Sequence, residues 1–316
     1  MGNIVTIVGA AGKMGKWFFE YFKYVKKTPP NPDIWCDLLI DKIILYDIKE
    51  IDSSHTYNDK NIVITNNISE SIKISDIVVF CIPINNIIEM FNCNALLFKP
   101  KSIIIEISSI KSTIHGILSD ISTKWNIVTL CIHPMFGPGA SIFSKSKIIF
   151  IPVNKNKRDI EETQLNKIFP SFEKIIIEDP DKHDLAISVI ISLIYFINLV
   201  LSKFLVELSN TKEFQFEDDL MNFFKKISGS TFKIQSLLSE SILTDDVSLF
   251  LTLFINNDKS IQIFNKYGQL FNQLLDKIEK KDQDFIKEYV LTTRNSIKKD
   301  IDINQSYEML YKFLNT

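Results

Sequence analysis

The N-terminal segment joins an apolar strand, a glycine-rich turn and a helix with no residues between them. Residues 3–8 are strand-like, residues 9–15 read GAAGKMG, and residues 16–26 are helix-like. Glycine permits a tight turn and lets the backbone approach a pyrophosphate, which then accepts hydrogen bonds at the helix N-terminus. The segment therefore predicts the start of a dinucleotide-binding domain. The residues predicted to lie at the cofactor are Gly9, Gly12, Lys13, Met14 and Gly15.

The GxxGxxG spacing departs from the commoner GxGxxG, so a glycine turn that serves only packing is the alternative. The rest of the first half supports the binding interpretation, because short apolar runs alternate with helix-like stretches. These runs are rich in Ile and Val without polar alternation, as expected for strands covered on both faces. The first predicted strand is residues 3–8, and the others are residues 42–46, 61–65, 77–82, 102–107, 127–132, 147–153 and 174–177.

From residue 181 onward the pattern is helical, with long spans and few turn residues. The predicted fold is therefore α/β, a Rossmann-type doubly wound parallel sheet followed by an all-helical second domain. We place the dinucleotide-binding domain at residues 1–165 and the helical domain, for substrate binding and dimerisation, at residues 166–316.

Two further segments are predicted to border the cofactor. Asp47 follows the second strand, where a dinucleotide fold places the acid that binds the adenosine ribose hydroxyls. A carboxylate there repels a 2′-phosphate, so NAD is expected rather than NADP, although Lys49 is close. Asp33, Asp37 and Asp41 are competing acids that do not end a strand. The segment Cys81, Ile82 and Pro83 closes another strand on the same edge of the sheet.

Composition narrows the class of partner. The formal net charge is −2 and the pI is near 6.1, so no broad cationic field invites nucleic acid or an anionic membrane. The four cysteines lack metal-ligand spacing, which predicts a reducing compartment and no metal. The N-terminus is not a signal peptide. We expect a cytoplasmic protein that binds a small molecule.

Residues 185–202 carry no charge and approach the length of a membrane-spanning helix. Several serines and an asparagine interrupt the segment. A helix that is apolar all round also occurs in the core of a domain or a dimer. We therefore predict a buried helix rather than a membrane anchor.

Two polar segments follow strands that end at the same edge of the sheet. Ser108-Ser109-Ile110-Lys111 follows one strand, and residues 133–139, HPMFGPG, follow the next. Together with GAAGKMG at the start, these motifs resemble those of the prephenate dehydrogenase family, through roughly the first 150 residues. The resemblance continues more weakly through His183-Asp184 and through residues 229–233 to the end.

The resemblance implies NAD-dependent oxidative decarboxylation of prephenate to 4-hydroxyphenylpyruvate in tyrosine biosynthesis, by a homodimer acting on a dicarboxylate. His133 matches the family histidine that hydrogen-bonds the ring hydroxyl, and Ser109 matches the serine that positions that hydroxyl. Neutral imidazole suits such an acceptor near pH 7. Family members carry another histidine where Tyr195 stands here, and an arginine for a substrate carboxylate, for which Lys233 is the nearest candidate.

Three alternatives remain at this stage: an arogenate dehydrogenase, a 3-hydroxyacid dehydrogenase that would use Lys233 as its acid/base, and a non-catalytic cofactor-binding relative. The chemistry of two other residues is expected to be ordinary. Lys111 is interpreted as a solvated lysine at a helix start, and His183 as a capping and structural residue beside Asp184.

Overall fold

The computed structural model describes residues 2–27, 38–52, 59–143, 145–209, 211 and 220–314. It comprises two compact units, Met1–Ala186 and Ile187–Thr316. The first unit holds a sheet and its flanking helices, whereas the second is helical throughout its described residues.

The sheet of the first unit has eight strands in its described part, in the order β3-β2-β1-β4-β5-β6-β7-β8. Only the β6–β7 pair is antiparallel. Strands β1 and β4 are neighbours, so the chain reverses its direction of winding between them. The strands are β1 (Asn3–Val8), β2 (Ile40–Tyr46), β3 (Ile62–Thr65), β4 (Ile77–Phe80), β5 (Ile103–Glu106), β6 (Val128–Pro134), β7 (Lys147–Ile151) and β8 (Glu173–Ile176).

Among the described residues, five helices connect these strands and a sixth follows the last strand, and their apolar faces cover the sheet. In the first helix, Trp17, Phe18 and Phe22 are buried, and they belong to the same core as Phe169 and Phe172. An aromatic side chain contributes a large apolar area, so this cluster stabilises the seam between that helix and the sheet. The helices are α1 (Lys13–Lys27), α2 (Ile68–Ile74), α3 (Ile84–Asn94), α4 (Ser112–Trp125), α5 (Arg158–Ile168) and α6 (Pro180–Ile187).

The predicted fold class is confirmed, and each predicted strand is present within about two residues at either end. Two details differ from the prediction. Strand β7 runs antiparallel because the segment between β6 and β7 contains no helix that could carry the chain across the sheet. The first compact unit also extends to Ala186, past the predicted boundary at residue 165, because β8 pairs with β7.

The second unit begins with a π-helical stretch, Ser188–Leu193, that joins α6 to α7. No strand occurs among its described residues. From α8 onward, successive helices are joined by connections of only a few residues, as is usual for helices packed in a bundle. The helices are α7 (Ile194–Ser209), α8 (Leu220–Ile227), α9 (Ser230–Ile242), α10 (Val247–Phe254), α11 (Asp258–Glu279), α12 (Gln283–Ile297) and α13 (Ile303–Leu314).

The apolar helix at residues 185–202 is partly exposed. It belongs to the continuous helical run Pro180–Ser209, the one run among the described residues that is long and apolar enough to cross a membrane. Only 22% of its most apolar window is buried within the chain, and Ile190 and Val200 are each more than half exposed. A single chain thus buries only part of this helix, and its burial in a domain or dimer core stays a prediction.

Candidate active site

The glycine turn between β1 and α1 is packed too tightly for side chains at two positions. Gly9 has a φ of +87°, and a Cβ atom there would lie 2.4 Å from the Cys81 carbonyl oxygen. A Cβ on Gly15 would lie 2.0 Å from the Gly9 carbonyl oxygen. The first turn of α1 contains no acidic side chain. The turn therefore leaves room for a phosphate at a helix N-terminus, where the backbone dipoles favour an anion.

The other predicted residues of the turn vary in exposure. Gly12 donates its N–H to the Gly9 carbonyl at 3.1 Å, which closes the turn. Lys13 is exposed and Met14 is half-buried against the core. Their roles at a cofactor remain predictions.

Asp47 lies next to the glycine turn. One carboxylate oxygen accepts a hydrogen bond from the Ala11 N–H at 2.9 Å, and the other accepts one from the Lys49 N–H at 2.8 Å. The competing acid Asp41 instead accepts a hydrogen bond from the Gly2 N–H at the opposite end of β2. Asp33 and Asp37 lie outside the described residues. Among the described acids, Asp47 is therefore the one placed where a ribose would adjoin the turn.

The segment after β4 closes the other side of the turn. The Cys81 N–H donates to the Val8 carbonyl at 2.8 Å, and the Ile82 side chain approaches Gly9. Pro83 is exposed and precedes the first residue of α3. These residues border the β1–β4 reversal, where ligands bind in open α/β sheets.

His133 is the second-to-last residue of β6, directly before Pro134, and it is only 5% exposed. The loop that follows it packs against α1. The Trp17 indole N–H donates to the Ala140 carbonyl at 2.9 Å, and the Trp17 ring lies 4.7 Å from the Phe136 ring. The HPMFGPG loop and the glycine-turn helix are thereby held at the same edge of the sheet.

His133 is hydrogen-bonded to a second histidine. Its Nδ1 lies 3.1 Å from Nε2 of His183, whose Nδ1 lies 2.7 Å from a carboxylate oxygen of Asp184. The Asp184 carboxylate also accepts the backbone N–H groups of Lys111 and Ser112, each at 2.8 Å. We name the chain of His133, His183 and Asp184 the histidine relay. It joins residues that are 50 positions apart in the sequence.

Protonation equilibria in the relay are displaced from their ordinary values. Burial lowers the pKa of His133 well below 6.5, and the nearby His183 and Lys111 act in the same direction. Burial alone would raise the pKa of Asp184. Hydrogen bonds from His183, Ser112 and Lys111 outweigh that effect and hold the pKa below its ordinary value. His133 is therefore neutral and Asp184 ionised near pH 7.

Lys111 is fully buried, so the prediction of a solvated lysine is wrong. Its ammonium donates to a Glu106 carboxylate oxygen at 2.7 Å and to the Ile132 carbonyl at 2.6 Å. Glu106 is also fully buried, at the end of an otherwise apolar strand. A buried carboxylate requires a partner, so the glutamate in that strand was the signal by which Lys111 could have been found.

Ser109 lies in the loop between β5 and α4 and is half-buried. Its neighbour Ser108 shapes this loop, because its hydroxyl donates to the Ile110 carbonyl at 2.9 Å and its N–H donates to Glu106. The same loop supplies Lys111. Ser109 follows β5, and His133 lies near the end of the neighbouring parallel strand β6, so both are at the same edge of the sheet.

The two predicted substrate residues belong to the second unit. Lys233 is exposed in the first turn of α9. Tyr195 is half-buried in α7 and its hydroxyl donates to Asp245 at 2.7 Å. Burial and this hydrogen bond raise the pKa of Tyr195, so its hydroxyl stays protonated. Their contact with a substrate remains a prediction.

The first unit thus has the fold and the glycine turn of a dinucleotide-binding domain. Residues 39–175 match the model of the family described as prephenate dehydrogenase, nucleotide-binding domain. This segment of the chain is therefore similar to the nucleotide-binding domain of that family.

A protein of known sequence and two solved structures are also similar to this chain. A probable arogenate/prephenate dehydrogenase of Methanocaldococcus jannaschii is 24% identical over 210 residues, which are 65% of this chain and 43% of the relative. The chain thus matches less than half the length of that relative.

Two solved structures have a similar fold over nearly the whole chain. A prephenate dehydrogenase from A. aeolicus, in complex with hydroxyphenyl propionate and NAD+, has a TM-score of 0.69 at 18% identity, with 96% of this chain and 99% of that chain covered. A Synechocystis arogenate dehydrogenase has a TM-score of 0.61 at 15% identity, with 94% and 100% covered.

Proposed function

We propose that this chain is an NAD-dependent dehydrogenase that converts prephenate to 4-hydroxyphenylpyruvate by oxidative decarboxylation. The observation that carries the proposal is the buried, neutral His133 at the sheet edge that also holds the glycine turn. The match of residues 39–175 to the nucleotide-binding domain of prephenate dehydrogenase supports it. A non-catalytic relative would have no need to bury an ordered histidine relay beside a nucleotide site.

The proposed reaction removes a hydride from the ring carbon that bears the hydroxyl and removes the ring carboxylate as carbon dioxide. The electron pair left by the carboxylate completes the aromatic ring, so the hydroxyl retains its proton in the phenol. His133 accepts a hydrogen bond from that hydroxyl while positive charge develops at the carbon. Ser109 positions the same hydroxyl. Both roles require that His133 stays neutral.

NAD is the proposed cofactor, and it supplies the nicotinamide that accepts the hydride. The chain's glycine turn would receive the pyrophosphate between Gly9 and Gly15, and Asp47 would bind the adenosine ribose. The segment Cys81 to Pro83 would border the nicotinamide side. This arrangement fits the tight glycine contacts and the acid-free first turn of α1.

Replacement of Asp47 should narrow the preference for NAD over NADP. In Asp47→Ser the negative charge that repels a 2′-phosphate is lost, along with the acceptor for the ribose hydroxyls. We expect the ratio of kcat/KM for NAD to that for NADP to fall by about tenfold, which corresponds to about 1.4 kcal/mol. Asp41→Ser, at the far end of β2, is the control and should leave the ratio unchanged. Equal use of NADP by the unmodified chain would contradict the assignment.

Arogenate is the second candidate substrate. The helical unit has no arginine at the position expected to bind a substrate carboxylate. The solved prephenate dehydrogenase and the solved arogenate dehydrogenase both share the fold of this chain. The deciding assay follows NADH formation with purified chain, NAD and either prephenate or arogenate. Turnover of neither compound would contradict the proposed function and favour the 3-hydroxyacid or non-catalytic alternatives.

Lys233 is proposed to hold a substrate carboxylate, since a dicarboxylate needs a cationic partner. A lysine offers a point charge without the bidentate geometry of arginine. Lys233→Met should raise the KM for the acid by roughly tenfold and leave the affinity for NAD unchanged. Lys226→Met, on the preceding helix, is the matched control. An unchanged KM would place the carboxylate partner elsewhere, for instance at backbone N–H groups.

We further propose a cytoplasmic homodimer whose interface covers apolar faces of the second unit. On α11, Phe271, Leu275 and Ile278 lie at helical spacing on one face and are 57%, 41% and 55% exposed. The exposed face of α7 adds Val200 and Phe204. Exposed apolar area of this extent marks an interaction surface.

The dimer is tested by analytical ultracentrifugation, where the mass should be twice the 36.5 kDa of one chain. The double variant Phe271→Asp/Leu275→Asp places two negative charges on this apolar face. It should therefore be monomeric at micromolar concentration. Gln273→Asp, on another face of α11, should leave the dimer intact. A monomeric native protein, or one that remains in membranes at high salt, would contradict this assembly.

A further inference from the structure

The histidine relay has a definite direction for its hydrogen bonds. The Asp184 carboxylate is ionised and can only accept. Nδ1 of His183, 2.7 Å away, must therefore carry a proton and donate it to Asp184. Where the imidazole of His183 carries only this one N–H, its Nε2 keeps a lone pair.

The direction propagates to His133. Nε2 of His183 accepts, and the group 3.1 Å from it is Nδ1 of His133. That nitrogen must carry the proton of His133, which is neutral. The remaining nitrogen, Nε2, then has the free lone pair. A neutral histidine without this relay would distribute its proton between both nitrogens.

The far end of the relay is fixed to the sheet. Asp184 accepts the first N–H groups at the N-terminus of α4, where the helix dipole stabilises a carboxylate. The residue that supplies one of those N–H groups, Lys111, also binds the Ile132 carbonyl with its ammonium. Ile132 immediately precedes His133. One residue thereby holds both ends of the relay, and the rings have little freedom to turn.

We infer that His183 and Asp184 are positioning residues that fix His133 as the Nδ1–H tautomer, with Nε2 as a permanent acceptor for a substrate hydroxyl. The catalytic consequence rests on the proposed function, whereas the tautomer itself does not. Only groups that touch the substrate would be catalytic residues, so His183 and Asp184 act through His133. This assignment replaces the sequence interpretation of His183 as a capping residue.

The tautomer is measured directly by ¹⁵N NMR of protein labelled at histidine. The chain has only four histidines, and single His→Gln variants assign each signal. At pH 8 we expect a pyrrole-type Nδ1 and a pyridine-type Nε2 for His133. A protonated Nε2 on His133 in the unmodified chain would overturn the inference, because His183 would then be donating in the opposite direction.

Kinetics with two substitutions of His183 separate positioning from folding. His183→Leu removes the acceptor, so His133 should become a mixture of tautomers. We expect kcat at pH 8 to fall about 10- to 100-fold, as for loss of other groups that orient a functional histidine. The KM and the NAD affinity should change less than about threefold. His183→Gln offers an amide oxygen to Nδ1 of His133 and should restore most of the tautomer and of kcat.

His115→Leu is the control. His115 also binds a carbonyl, that of Pro152 at 3.0 Å, but it lies outside the relay. This variant should keep the His133 tautomer and kcat. A kcat within about threefold of normal in a folded His183→Leu protein would overturn the inference. If the native chain turns over neither prephenate nor arogenate, the proposed function fails, and the NMR result still decides the tautomer.

Discussion

His133→Asn should lower kcat by on the order of a hundredfold or more, with a much smaller change in substrate binding. Asparagine keeps a polar side chain of similar reach, but its amide oxygen is a weaker hydrogen-bond acceptor than a neutral imidazole nitrogen. Loss of one preorganised group that stabilises charge in the transition state costs on the order of 10² to 10³ in rate. Since the contact to the hydroxyl strengthens mainly in the transition state, the loss should appear in kcat rather than in KM.

The pH dependence of kcat, compared between the native protein and His133→Asn, is a second test of the role of His133. Only neutral His133 can accept the hydroxyl, so activity is present above its pKa and is lost as pH falls through it. Burial holds that pKa well below 6.5, so the native enzyme should retain a flat kcat from neutral pH down past 6.5. His183, Asp184 and Lys111 are the titratable groups that face His133.

An acidic limb due to His133 should be absent from the Asn variant. A near-normal kcat in that variant, or an acidic limb that survives unchanged, would show that His133 is not the acceptor. His115→Asn serves as the control, because His115 is hydrogen-bonded to a carbonyl away from the relay.

Lys111→Met should destabilise the first unit by about 3–5 kcal/mol, because it leaves the fully buried Glu106 carboxylate without its ion-pair partner. For a unit of this size, that loss lowers the thermal midpoint by roughly 10 °C. Urea denaturation followed by circular dichroism at pH 7.5 measures the change in unfolding free energy.

Two variants test the cause of that loss. Lys124→Met, on the same helix, breaks an ion pair with Asp120 whose side chains are 64% and 71% exposed. It should cost less than about 1 kcal/mol. The double variant Glu106→Gln/Lys111→Met removes the stranded charge and should recover part of the stability. A Lys111→Met protein as stable as the native chain would contradict the buried pair.

The sheet and the glycine turn could be predicted from the sequence because their signals are local. Apolar runs such as residues 3–8 and 127–132 are expected to be buried on both faces, and glycine at positions 9, 12 and 15 permits a close turn of the backbone. The structure adds the reason for two of these glycines, since a Cβ on Gly9 or Gly15 would collide with backbone oxygens. Asp47 was identified in the same way, by its position at the end of a strand.

The antiparallel course of β7 and the exposure of the 185–202 helix were not predictable in this way. Apolar residues of a strand do not specify the direction of its neighbour, and an uncharged helix has the same composition in a domain core and at an interface. Both depend on which other elements cover the segment.

The sequence by itself determined the strands and the glycine turn. It also placed Asp47, Ser109 and His133 near strand ends at one edge of the sheet, where their functional roles stay predictions. Only the tertiary structure decided the states of Lys111 and His183. Each belongs to a contact with a distant part of the sequence: the Lys111 ammonium binds the Ile132 carbonyl across 21 positions, and His183 binds His133 across 50. The physical reason is burial. The sequence contains the same letter for a lysine or histidine whether the residue is exposed or buried. Its charge and the position of its proton are set by the groups that replace water around it.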